Sequence, residues 1–186
     1  LYTNGILADD ETAKCLKVAG LDAAIVTLIS HLPRKHDDFT GVTGSWEKTV
    51  SGILSLKKAK IPTYTFTAVH NVNKEDVKKI YEFVHDKLGV HSLFYQYIPL
   101  EEYDSLIINP VEWNRIKHWI LYEKNARHMK FVRDFYMLTG NACSGGNFVL
   151  TVKADGSIQP CPFINNMSIG NIREHDIWTI YRNRFK

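Results

Sequence analysis

Three cysteines in 186 residues are too few, and odd in number, for the disulfide framework of a small secreted domain. A reducing, cytoplasmic setting fits better. No apolar run approaches the ~20 residues that cross a bilayer, and the start lacks the basic and apolar stretches of a signal peptide. No membrane is therefore expected. The formal net charge is only +3 and the lysines are scattered, which speaks against a nucleic-acid surface. None of the eight histidines forms a His-x3-His pair, so all are expected to be structural or on the surface. Internal repeats, low-complexity tracts and long linkers are also missing. So is an initial Met: the chain opens Leu1-Tyr2-Thr3-Asn4-Gly5, which reads as the end of a strand and its turn. It closes Arg182-Asn183-Arg184-Phe185-Lys186 inside an apparent helix without a stop signal. Both ends read as cut, so a fragment is expected.

What is present is enough apolar content, 45%, and enough length for one substantial core plus a small appendage. Asp9-Asp10-Glu11 starts a helix with Ala13, Leu16 and Ala19 roughly on one face, stopped by Gly20. Cys15, within it, reads as a small buried apolar residue. Residues 23–30 are apolar almost throughout, as in a parallel strand buried on both faces. Ser45 is expected to cap a helix carrying Trp46, Val50, Ile53 and Leu54. Thr63 to Val69 alternates, with Thr63, Thr65 and Thr67 on one side and Tyr64, Phe66 and Ala68 on the other. The apolar set can sit under helices, leaving the threonines facing a polar interior or a ligand; alternatively, threonine is simply a good strand former. Asn73 is expected to cap a helix ended by Gly89, Ser92 to Ile98 forms another strand, and Asn109-Pro110 opens a further helix. Strand and helix alternate with short connections, the pattern of parallel βαβ units. The pattern changes after residue 125, giving expected domains of 1–125 and 126–186.

The second part holds Cys143 and Cys161. Between them, Asp155-Gly156 separates two strand-like runs, which predicts a hairpin with a two-residue type I′ turn. That turn places Cys161 opposite Leu150. Two thiolates so placed could supply two ligands of a zinc or [4Fe–4S] site, which usually needs four; two unrelated buried thiols are the plain alternative. Gly41-x-x-Gly44, between a strand and a helix, could hold an anion on its backbone amides. Glu101, Glu102 and Asp104 read as a solvated loop.

These elements, in this order, resemble a radical S-adenosylmethionine (SAM) enzyme with a C-terminal SPASM or twitch domain. Thr3-Asn4-Gly5-Ile6-Leu7 is similar to the family's TNG-x-L after its third barrel strand. Val26-Thr27-Leu28-Ile29-Ser30 resembles V-S-L-D-G on the fourth, with Ile29-Ser30 in place of Asp-Gly. His36-Asp37 followed by Gly41-Val42-Thr43-Gly44-Ser45-Trp46 resembles H-D-x-x-R-G-x-x-G-S-F, with Thr40 where Arg is common. Pro62 to Val69 and Asn73 match the fifth strand and the cap after it. Cys143-x12-Gly156-x4-Cys161, with Pro162 and Gly170-Asn171-Ile172, resembles the opening of the SPASM/twitch pattern.

The resemblance implies an α/β fold: a partial (β/α) barrel missing its first units, followed by a β-hairpin-plus-helix SPASM/twitch segment. It implies SAM and [4Fe–4S] clusters as cofactors. Thr27 and Gln96, then Asn4 and Thr67, become the expected SAM contacts, and Cys143 and Cys161 the ligands of an auxiliary cluster. The family's Cys-x3-Cys-x2-Cys triad, which holds the SAM cluster, does not occur among these residues. The fragment alone is therefore expected to be inactive. The complete enzyme would cleave SAM to a 5′-deoxyadenosyl radical and take hydrogen from a peptide, protein or small-molecule substrate, with electrons from a flavodoxin or ferredoxin. Two other classes compete. A scaffold module with a degenerate barrel and a zinc-bound tail is one. The other, a cluster-free aldolase-like barrel, lacks a Lys within the predicted strands.

Overall fold

The computed structural model describes residues 1–99, 104–122, 146, 149–162, 164 and 166–183. The chain divides into two compact units, Leu1–Arg133 and Asp134–Lys186. In the first, β1 (Tyr2–Thr3), β2 (Ala24–Thr27), β3 (Thr63–Val69) and β4 (His91–Gln96) form a parallel sheet in the order β1-β2-β3-β4. Each strand joins the same edge as the one before. With right-handed crossovers, that order puts every connecting helix on one face of the sheet. It is the winding of a barrel wall rather than of a doubly wound sheet.

The helices are α1 (Asp10–Val18), α2 (Pro33–Thr40), α3 (Ser45–Lys58), α4 (Val77–Glu82) and α5 (Pro110–Tyr122). α4 is preceded by a 3-10 turn, Lys74–Asp76, and runs on into a π-helical segment, Phe83–Leu88. The expected cap on α1 is present: the Thr12 N–H donates to Asp9 Oδ1 at 2.7 Å. Val26, Leu28, Val69 and Phe94 of the sheet region pack with Ile53 and Leu56 of α3, Ile80 of α4 and Val84. Burying each such side chain contributes about 1.5–3 kcal/mol.

The strand threonines face this core. Register pairs Val26 with Thr65 and Thr67 with Phe94, and paired residues share a face. The helix side therefore receives Thr63, Thr65 and Thr67, all buried. The hydroxyl of Thr67 donates to Leu28 O at 2.6 Å and that of Thr63 to Ile61 O at 2.8 Å. The aromatic set faces the open side: Phe66 stacks on Tyr95 at 4.2 Å and meets the edge of Tyr2 at 5.9 Å. The reading that put the apolar set under the helices is thus reversed, because a stiff β-branched threonine packs well in a narrow layer once its hydroxyl is bonded.

One helix is added to those expected, and two smaller expectations change. Residues 33–40 form helix α2, with Pro33 in its first turn. Cys15 is exposed, since α1 buries Ala13 and turns Cys15 to solvent. Asn73 does not cap the following turn; its side chain reaches back to the strand ends.

In the second unit β5 (Thr151–Val152), β6 (Ser157–Gln159) and β7 (Gly170–Asn171) form an antiparallel sheet in that order, followed by α6 (Ile177–Asn183). Ile158 and Ile180 are buried, and Asp176 Oδ1 accepts from the Trp178 and Thr179 N–H groups, both at 3.0 Å. The hairpin loop has three residues, not two. Lys153 N–H donates to Ser157 O, Gly156 N–H donates to Lys153 O, and only Gly156 has positive φ, at 84°. A type I turn closed by a glycine bulge does this. The extra residue shifts the register by one, so that carrying it onward sets Cys161 opposite Val149 rather than Leu150.

Candidate functional site

The C-terminal ends of the parallel strands converge on one edge of the sheet, the edge where (β/α) barrels place their chemistry. Asn4 follows β1, Thr27 ends β2 and Gln96 ends β4. Asn4 is exposed, and its Oδ1 accepts from its own Ile6 N–H at 3.2 Å. Thr27 is half-buried on the open face, paired in register with Phe66. Gln96, also half-buried, pairs with Val69, on the helix-facing side of the register. Thr67 is fully buried on that same side and spent on Leu28 O. The open face therefore joins Thr27 to an aromatic wall of Tyr2, Phe66 and Tyr95. Burial beside Phe66 raises the Tyr95 phenol above its ordinary value.

The loop after β2 is held by a dense set of hydrogen bonds. His36 Nδ1 accepts the Ile29 N–H at 3.3 Å, so the ring is neutral with its proton on the other nitrogen. Burial pushes the pKa of His36 down, against the opposing pull of Asp37. Asp37 takes the Gly44 N–H at 2.6 Å, the Trp46 N–H at 2.9 Å and the Ser45 hydroxyl at 2.9 Å. These bonds, Trp46 first, hold its carboxyl below the usual carboxylate range. The start of α3 is thus already filled by an internal carboxylate, which overturns the reading of Gly41-x-x-Gly44 as an anion site and of Ser45 as the cap. Thr40 completes the knot through its hydroxyl, 2.8 Å from that of Ser45. His36, Trp46 and Asn73 carry roles the sequence did not show. Pro33, in the first turn of α2, was the available signal for the helix that places His36 and Asp37.

A second cluster gathers at the end of β3. His70 is fully buried and stacks on Phe39 at 4.5 Å, and burial lowers its pKa. Asp104 accepts from Tyr97 Oη at 2.6 Å and from the Leu106 N–H at 2.9 Å, and the Tyr97 bond lowers its pKa. Asp104 is therefore structured rather than solvated. Glu101 and Glu102 lie outside the described residues.

In the second unit Cys161 is half-buried with a free thiol. Cys143 lies outside the described residues. Gly146, three residues after it in sequence, donates its N–H to Val149 O at 3.0 Å and to Pro160 O at 2.8 Å. Asn171 and Arg173 hold the hairpin tip: Asn171 Nδ2 donates to Asp155 O and Arg173 Nη2 to Ala154 O, both at 3.3 Å. Among the described residues no three His, Cys, Asp or Glu side chains form a metal cage. A ligand pair from this chain plus ligands from elsewhere is what the thiol chemistry allows. None of the described helices is long and apolar enough to cross a membrane.

The family model of the radical SAM superfamily matches residues 1–84, and that of the SPASM iron–sulfur cluster-binding domain matches residues 143–186. Residues 1–84 thus match a radical SAM segment and residues 143–186 a SPASM segment, in that order. Radical SAM relatives include an AdoMet-dependent heme synthase of Methanosarcina barkeri, 27% identical across 98% of this chain and 60% of the relative. A probable GTP 3′,8-cyclase of Methanosarcina acetivorans is 29% identical across 92% of this chain and 55% of the relative. The chain thus spans little more than half the length of the curated relatives it matches. Among solved structures, native anSMEcpe with bound AdoMet and a Kp18Cys peptide superposes with a TM-score of 0.72. It is 18% identical, over 98% of this chain and 56% of that one. SuiB of Streptococcus suis superposes with a TM-score of 0.67 at 10% identity, over 97% of this chain and 47% of that one. These likenesses bear out the α/β fold with its parallel sheet. The cofactors that go with the two radical SAM and SPASM segments are SAM and iron–sulfur clusters. The residues present fit both. An aromatic wall with one hydroxyl at a strand end suits a nucleoside, and a free, half-exposed thiol on a hairpin suits a cluster.

Proposed function

We propose that the whole protein is a radical SAM oxidoreductase that abstracts hydrogen from a peptide, protein or small-molecule substrate. The observation that carries this reading is the order of the two family segments, with Cys143 and Cys161 both inside the SPASM one. Residues 1–125 supply part of the barrel wall and residues 126–186 open the auxiliary-cluster domain. Bound SAM supplies the hydrogen-abstracting radical, and a flavodoxin or ferredoxin supplies the electron.

The chain's own contribution is binding and exclusion. Thr27 offers a hydroxyl to SAM from the end of β2, with Asn4 after the neighbouring β1 and Gln96 at the end of β4. Thr67 supports the site through Leu28 O and does not touch the cofactor. The aromatic wall of Tyr2, Phe66 and Tyr95 keeps water from the bound nucleoside. Cys143 and Cys161 supply two thiolates to the auxiliary cluster. Gly146, bonded to Pro160 beside Cys161, supports that pairing.

The test is anaerobic reconstitution of the full-length protein with iron and sulfide, followed by reduction in the presence of SAM. The expected product is 5′-deoxyadenosine. The 186-residue chain alone, holding no Cys-x3-Cys-x2-Cys, is expected to yield none. A full-length protein that binds zinc without iron and cleaves no SAM would sink the enzyme reading and support a scaffold.

A further inference from the structure

The turn that follows β2 has no glycine, proline or asparagine to define it; it reads Leu28-Ile29-Ser30. Its shape is set instead by side chains from four other places in the fold. Leu28 O accepts from Thr67 Oγ1 of β3 at 2.6 Å. The Ile29 N–H donates to His36 Nδ1 of α2 at 3.3 Å. Ile29 O accepts from Asn73 Nδ2 at 3.0 Å, and Ser30 O from Trp46 Nε1 of α3 at 3.1 Å. Asn73 Nδ2 also donates to Ala68 O at 3.0 Å, and its Oδ1 accepts the His70 N–H at 2.9 Å. One amide thus ties the ends of β2 and β3 together. Ile29, Ser30, His36 and Asn73 are all buried.

Buried polar side chains are costly unless their bonds are made. Here two of them, His36 and Asn73, meet that cost by fixing one turn. The turn begins at the residue after Thr27, on the cofactor-facing edge. We infer that His36 and Asn73 are positioning residues for SAM: they hold Leu28-Ile29-Ser30 in the shape that presents Thr27 and the adjoining backbone to the cofactor. Neither touches SAM. The inference rests on the SAM-binding reading of the preceding section. Its physical content is pre-organisation, since a site whose supporting bonds are already made loses less freedom when its ligand arrives.

His36→Phe keeps a buried ring and removes the acceptor. His36→Asn keeps an acceptor near the place of Nδ1. Both would be made in the full-length protein with clusters reconstituted anaerobically. SAM affinity would be read by equilibrium dialysis without reductant, and thermal midpoints and Ile29 amide exchange in parallel. Misplacing a binding group by a fraction of an ångström is costly, so His36→Phe is expected to weaken SAM about tenfold, while His36→Asn stays within about twofold of wild type. Ile29 exchange should rise in the first and not in the second. Equal SAM affinity in His36→Phe and wild type would overturn the positioning role alone. Should His36→Phe not fold, His36→Gln takes its place, because its acceptor sits one bond too far out; it must bind more weakly than His36→Asn for the inference to stand. If the wild-type protein itself binds no SAM, the cofactor reading is what has failed, and the inference falls with it.

Discussion

Asp37 shows how much one carboxylate can organise. Its two oxygens take the Gly44 and Trp46 N–H groups and the Ser45 hydroxyl, anchoring the start of α3 to α2. The folded-state pKa is depressed, chiefly by the Trp46 N–H. The stabilisation it gives is therefore fully present above the unfolded value of about 3.9 and is lost as pH falls through the folded one. Thermal midpoints of wild type and Asp37→Asn, compared from neutral pH into acid, should converge at the acidic end; parallel curves would mean the charge is immaterial. Gly52 makes a second, steric prediction. Glycine to alanine within a helix ordinarily stabilises by about 1 kcal/mol. Here the added Cβ would stand 2.1 Å from Gly5 O, a backbone atom that cannot rotate away. Overpacking of this kind costs about 1–3 kcal/mol, so the steric term wins and Gly52→Ala should lower stability. Urea denaturation gives the sign directly, and a stabilised variant would show that α3 can slide off the β1 turn.

At the scale of elements, what could be read from sequence was periodicity. β3 spans Thr63–Val69 as its alternation says, and α1 begins where Asp9 caps it. Periodicity does not say which side of a strand meets the helices. Threonine and tyrosine each suit a half-buried face, and the register that decided between them, Val26 with Thr65 and Thr67 with Phe94, is a property of the assembled sheet. Helix α2 was missed because its residues Arg34 to Asp38 are mostly charged, so no apolar stripe marks it. The hairpin was placed correctly but its turn was not, for Asp-Gly serves both the two-residue turn and the three-residue turn with a bulge. That distinction has a consequence. At φ 84° only Gly156 is left-handed, and a Cβ there would meet Asn171 Oδ1 at 2.7 Å. Gly156→Ala should cost the second unit about 1–2 kcal/mol from the left-handed backbone alone. It should also speed exchange of the Ile172 amide, which is bonded to Gly156 O. An unchanged Ile172 amide would show that β7 does not depend on the bulge.

At the scale of the whole molecule, the spacing of Cys143 and Cys161 was legible in the sequence, and both fall in the segment that matches the SPASM domain. The rest of a cluster's coordination was not legible, because ligation usually takes four groups and these two are the only cysteines in the second unit. Shared ligation has a thermodynamic signature that separates it from two unrelated thiols. If both thiolates hold one cluster, removing either disables the site, and removing the second adds nothing. Cys143→Ser, Cys161→Ser and the double variant should then lose the same iron and sulfide from the reconstituted full-length protein. All three should lose the same share of the thiolate-to-iron absorption. In the proposed function the cluster that binds SAM would depend on other cysteines, so 5′-deoxyadenosine formed without substrate should persist in all three while substrate turnover falls. Cys15→Ser, on the exposed face of α1, serves as the control and should change none of these readings. Additive iron losses in the two single variants would place the two cysteines on separate sites. No loss in either would return them to the role of ordinary thiols and leave the SPASM segment without a cluster.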